Sequence, residues 1–176
     1  MTIEAFADTI IPGEKRFPGD DAIAGATTGG GAVAAGAVEL LQLSAVGLVD
    51  TLDMLVVTLN DHAERYAQEH ELELNKSLPP FVALPFSDRT ALVQTLTDPT
   101  HPEKELWVGL ALFSNMAYDC AAHLPTATAI ENGHPGLVAM GVFKPDTDGL
   151  WRFPRFSYGR ALASLHPNTT VNGSPA

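Results

Sequence analysis

The stretch that decides the fold runs Val38-Glu39-Leu40-Leu41-Gln42-Leu43-Ser44-Ala45-Val46-Gly47-Leu48-Val49-Asp50-Thr51-Leu52-Asp53-Met54-Leu55-Val56-Val57-Thr58-Leu59 and continues to Tyr66. Val38, Leu41, Ala45, Leu48, Leu52, Leu55, Leu59 and Tyr66 step by three and four, interrupted only by His62, which is the period of a helix burying one face. A second apolar set, Leu40, Leu43, Val46, Val49, Met54 and Val57, covers most of the remaining circumference. Such a helix must be enclosed by others. The expectation is an all-α fold: a small helical bundle around a central buried helix. The acids Glu39, Asp50 and Asp53 argue against a membrane span, since a carboxylate at the bilayer centre costs about 2.5–3.5 kcal/mol.

Outward from this core, Ile3, Phe6, Ala7 and Ile10 define a short helix stopped by Pro12-Gly13. Seven of the fifteen glycines fall between Pro12 and Gly36, so that segment reads as irregular or mobile. Ser87 and Asp88 are expected to cap a helix with apolar face Ala91, Leu92, Thr95 and Leu96. Leu106, Leu110, Phe113, Ala117, Ala121 and Leu124 mark a further helix between Pro102 and Pro125. Beyond it, six prolines and six glycines in 52 residues predict an irregular tail wrapped over the helices. The chain therefore reads as one domain, 1–176, with a helical body (1–124) and a tail (125–176) packed on it.

Charge divides along the same line. Residues 1–124 carry 18 acidic and 6 basic side chains, against 3 and 4 in the tail, and the chain totals -11. That balance excludes nucleic acid as a partner and disfavours anionic membrane surfaces. A single cysteine, Cys120, excludes a disulfide framework and is expected to be a buried, inert thiol. The first residues lack the basic and apolar regions of a signal peptide. The expectation is a cytoplasmic location, with export beside a partner where a leader has been removed.

Candidate chemistry is sparse. Asn115, Asp119 and His123 recur every four residues, so an aspartate could orient an imidazole as a general base, or the aspartate and histidine form a structural hydrogen-bonded pair near a helix end. Asp50 and Asp53 invite a carboxylate-bridged bundle metal site, but the Glu-x-x-His motifs such sites use are missing from both long helices, and no metal is expected. His101, His134 and His166 each precede proline, which places them in loops. Trp151, Arg152, Phe153, Arg155, Phe156, Tyr158 and Arg160 form one aromatic and basic cluster, suited either to a partner or to pinning the tail.

Phe6-Ala7-Asp8-Thr9-Ile10-Ile11-Pro12-Gly13 and Phe17-Pro18-Gly19-Asp20-Asp21-Ala22 resemble the opening of the small subunit (subunit 3) family of gluconate 2-dehydrogenase. His134-Pro135-Gly136, Gly149-Leu150-Trp151, Ser157-Tyr158-Gly159 and the ending from His166-Pro167-Asn168 resemble actinobacterial relatives encoded beside flavin oxidoreductases. The resemblance implies a small helical accessory subunit that stabilises or escorts a flavoprotein oxidoreductase of the glucose-methanol-choline class. It places FAD in that partner and no cofactor in this chain. The alternative is a free-standing tailoring or cyclising enzyme of secondary metabolism, or a small-ligand carrier, that holds an apolar small molecule in the bundle. Partner or ligand contacts would come from Trp107, Phe113, Tyr118, Trp151, Arg155, Tyr158, Arg160 and His166. Acid and base groups would come from Asp53, Asp119, His123, His134 or Tyr158.

Overall fold

A computed structural model describes residues 1–142 and Lys144. Residues 1–142 form one compact unit, and the regular elements among the described residues are all helical. The tail cluster, with Trp151, Arg155, Tyr158, Arg160 and His166, lies outside the described residues.

Helix α1 spans Thr2–Ile10 and is the hub. Ala5, Phe6 and Ala7 are fully buried, and small alanines on both sides of the phenylalanine let neighbours approach closely. α1 packs against α2 (Ala37–Leu41), α3 (Leu52–Glu69), α4 (Pro80–Ala83), α5 (Phe86–Leu96) and α6 (Lys104–Cys120). The Phe6 ring stands 6.3 Å from both Phe81 and Trp107, so one side chain joins three helices. Leu55, Leu59, Leu84, Leu96 and Leu110 complete the same apolar cluster.

The decisive stretch is helical, but it is neither continuous nor enclosed on every side. α2 ends at Leu41, two 3-10 turns follow at Ser44–Val46 and Val49–Thr51, and α3 starts at Leu52. Leu43 adopts an extended conformation and Gly47 a left-handed one, φ 73°, which a glycine enters without steric cost. Thr51 adds a competing local bond, its hydroxyl donating to the Leu48 carbonyl at 2.8 Å. Most of the second apolar set faces outward: Leu43, Val49, Met54 and Val57 are 40–60% exposed, whereas Leu40 is buried and Val46 packs against a second core cluster. α3 buries one stripe, Leu55, Leu59, Ala63 and Ala67. The bundle's central helix is therefore α1, because its short alanine-flanked surface admits five neighbours and α3's bulky one does not.

The segment from Pro12 to Gly36 is irregular, as expected, yet it is tied down. Buried Asp8 accepts the Gly13 amide at 3.0 Å and the Ala24 amide at 2.9 Å. Arg16 bridges Asp20 at 2.7 Å and Glu4 through a second nitrogen at 2.6 Å. The Ala32 amide donates to the Ile11 carbonyl at 2.9 Å, which brings Gly31 against Pro12 and Gly13.

Three boundaries differ from expectation. α5 begins after Pro85, and Asp88 lies in its first turn, accepting the Tyr66 hydroxyl at 3.1 Å rather than capping the helix. α6 ends at Cys120, because Ala121 turns left-handed at φ 49°. Residues after Pro125 continue into two short helices, α7 (Thr126–Glu131) and α8 (Pro135–Ala139), and α8 packs on α6. Helices of six and five residues hold too few periodic positions to stand out in the sequence.

Candidate functional site

The early end of α6 moves His123 off the Asn115–Asp119 stripe. Asp119 is exposed and accepts the Asn115 amide at 2.9 Å. His123 meets His134 instead, with ring centroids 6.1 Å apart. These two histidines, eleven positions apart in the chain, share a surface cavity of about 360 Å³ with Val33, Gly36, Glu39 and Asn132.

His134 is fully engaged. Its Nδ1 accepts the Leu137 amide and so caps α8, while its Nε2–H donates to the Ala35 carbonyl at 3.0 Å. With Nδ1 accepting and Nε2 donating, both ring nitrogens are committed to backbone partners. It fastens α8 to the turn before α2, and neither nitrogen is free for proton transfer.

His123 is the opposite case: its Nδ1 is buried without a hydrogen-bond partner. Its pKa is lowered, first by desolvation and then by His134, against an upward pull from Glu39. Gly36 makes room for the ring, since a Cβ there would collide with Nε2. A neutral imidazole with an unused nitrogen, beside a carboxylate at a cavity wall, is able to accept a proton or a hydrogen bond.

A second cluster joins α3 to the start of α6. His62 Nε2–H donates to Glu103 Oε2 at 2.8 Å, Trp107 Nε1–H donates to the same oxygen at 3.2 Å, and Arg65 donates to His62 Nδ1 at 3.1 Å. The His62 bond holds the Glu103 carboxyl below its ordinary range, outweighing desolvation. The imidazole also stands edge-on to Trp107 at 5.8 Å. With both ring nitrogens engaged, this group fixes helix geometry. Its partners lie 41 positions apart, which no sequence period reveals.

The remaining candidates scatter. Asp53 is exposed in the first turn of α3 and lines a different cavity of about 450 Å³ beside Thr2, Leu41 and Val56. Trp107 is fully buried and belongs to the core. Phe113 is half-buried where two core clusters meet. Tyr118 is half-buried on α6, and its carbonyl lies against Gly136. Cys120 is exposed rather than buried, and its thiol donates to the Met116 carbonyl. Desolvation and then Asp119 push that thiol up, away from the reactive thiolate. Among the described residues, no group of three or more histidine, cysteine or acidic side chains is placed to hold a metal ion. Nor is any of their helices long and apolar enough to cross a membrane.

One further surface stands out by its lack of charge. Thr9, Ile10, Thr90, Val93, Gln94, Thr97, Val108, Ala111, Leu112 and Asn115 line a groove of about 550 Å³ between α5 and α6. Both helices lean on α1, whose last turn forms the floor.

The described part of the chain is thus a small all-α protein with surface cavities around a filled aromatic and aliphatic core. It belongs to the family of unknown function DUF5987, which matches residues 1–176. Comparison with curated proteins and with solved structures gives no match.

Proposed function

We propose that the chain is an accessory subunit that binds and stabilises a flavin-dependent oxidoreductase of the glucose-methanol-choline class, with the flavin held by that partner. The observation that supports this reading is where the large apolar side chains lie. Phe6, Phe81 and Trp107 fill the bundle, whereas Val108 and Leu112, one turn apart on the same face of α6, stand 46% and 53% exposed. A filled interior leaves little room for an apolar substrate, and an exposed apolar stripe suits contact with another protein. The test is co-expression with a flavoprotein oxidoreductase of that class from the same organism, followed by size-exclusion chromatography. A stoichiometric complex with a raised flavoprotein melting temperature is expected; a chain that elutes alone and leaves the flavoprotein unchanged overturns the reading.

A second reading, a free-standing enzyme or small-ligand carrier, draws on the unpartnered Nδ1 of His123 beside Glu39. Its test is a metabolite screen by melting shift on the wild type and on His123→Phe. Only a shift that the substitution removes supports it.

A further inference from the structure

The groove between α5 and α6 combines an uncharged lining with acidic ends. Val93 and Ile10 form its apolar floor, and exposed Val108 and Leu112, one helical turn apart, form one wall. Glu105 precedes Val108 by three positions on α6, and Asp98 follows Thr97 at the adjacent end of α5. At the far end Asp119 is hydrogen-bonded to the groove residue Asn115. His101 and Lys104 lie close enough to act on Asp98, so the three carboxylates are set against one lysine and one histidine. Asp98 stays ionised, its carboxyl held down by the Thr100 hydroxyl and amide.

An occupant must match this pattern. Eleven residues of α5 run roughly 16 Å, the length of three turns of a docked helix. The apolar floor and wall suit an apolar stripe on the occupant, and the acidic ends favour basic residues. From this geometry we infer that the groove receives an amphipathic helix of the partner, about three turns long, with an apolar stripe and lysine or arginine at both ends. This inference rests on the accessory-subunit reading and adds to it the surface and the chemistry of the contact.

The probe is a synthetic amphipathic peptide with leucines at helical spacing and flanking lysines, titrated into the ¹⁵N-labelled full chain. Amide shifts confined to Val93, Val108, Ala111, Leu112 and their neighbours are expected. Affinity should fall about tenfold or more for Leu112→Glu, which changes an exposed side chain, and similarly when the peptide's lysines become glutamates. Added salt should weaken the lysine peptide. No binding, equal binding of the glutamate peptide, or shifts mapping elsewhere overturns the inference. Co-purification separates the two proposals. If the flavoprotein associates equally with wild type and Leu112→Glu, the groove assignment fails while the subunit reading stands. If the peptide binds as expected but the flavoprotein does not associate, the subunit reading fails and the groove stands.

Discussion

Arg89, on α5, donates to the carbonyl of Ala22, 67 positions earlier, at 2.9 Å, and in doing so stitches the glycine-rich loop to the bundle. The same guanidinium reaches the carbonyls of Leu84 at 3.0 Å, Asp21 at 3.1 Å and Val82 at 2.5 Å. Burial pulls its pKa down, while Asp8 and Asp21 push it back up. A planar fork serving four backbone oxygens is a task for arginine, because a lysine is a point charge with three donors.

Replacing Arg89 with methionine leaves those buried carbonyls unpaired, and each orphaned group costs about 1–3 kcal/mol. Arg89→Met should therefore destabilise by at least about 3 kcal/mol, and Arg89→Lys by less. Urea midpoints check the size of the loss. Hydrogen exchange should speed up first at Ala22–Ala24. A methionine variant within about 0.5 kcal/mol of wild type would show that the stitch contributes nothing.

This stitching is illegible in the sequence because Arg89 and its acceptors are joined by backbone carbonyls, which leave no residue-type signature. What the sequence does carry is local. α1, α5 and most of α6 follow from apolar spacing, with Pro12 and Pro102 as boundaries. The same spacing misplaces the centre of the bundle, since it counts apolar residues around a helix and ignores their size. Alanines at 5 and 7 make α1 the hub, a packing effect that hydrophobicity scales rank low. His123 and His134 are visible as candidates, but their meeting depends on Ala121 turning left-handed, which alanine rarely does.

His123 carries a penalty the fold has not removed. An unpartnered buried nitrogen costs roughly 1–3 kcal/mol, so His123→Phe should raise stability by about 1 kcal/mol, with His123→Leu as the smaller control. The pH dependence has a definite sign. The folded-state pKa lies below the unfolded value near 6.5, so below that pH the unfolded chain binds more protons and wild-type stability drops. The difference in melting temperature between His123→Phe and wild type should grow as pH falls below about 6.5. A constant difference from pH 8 to 5 would remove His123 as the cause.

Gly31 tests the tie between the loop and the end of α1. A Cβ there would overlap the Ile11 carbonyl oxygen and lie 2.5 Å from the Pro12 carbonyl carbon and 2.6 Å from the Gly13 nitrogen. All three are backbone atoms and cannot rotate away. Gly31→Ala should cost about 3 kcal/mol, at the upper end of overpacking effects. Gly29 offers the contrast: its φ is 84°, but a methyl group there would meet nothing within 4 Å, so Gly29→Ala should cost only the left-handed strain of about 1 kcal/mol. Equal losses from the two substitutions would mean that the close approach of Gly31 to Pro12 and Gly13 does not exist in solution.

The placement of α3 is open to the sharpest test, because two adjacent apolar sets make opposite predictions. Leu59 is fully buried, so Leu59→Ala should destabilise by about 2–5 kcal/mol through lost burial and the space left behind. Val57, two positions away, is 60% exposed, and Val57→Ser should change stability by no more than about 0.5 kcal/mol. Met54, 49% exposed, should tolerate glutamine equally well. A helix enclosed on all sides would instead show large losses at all three positions. Chemical denaturation of the three single variants decides it: a cost at Val57 or Met54 approaching that at Leu59 would restore α3 to the centre of the bundle and displace α1 as the hub.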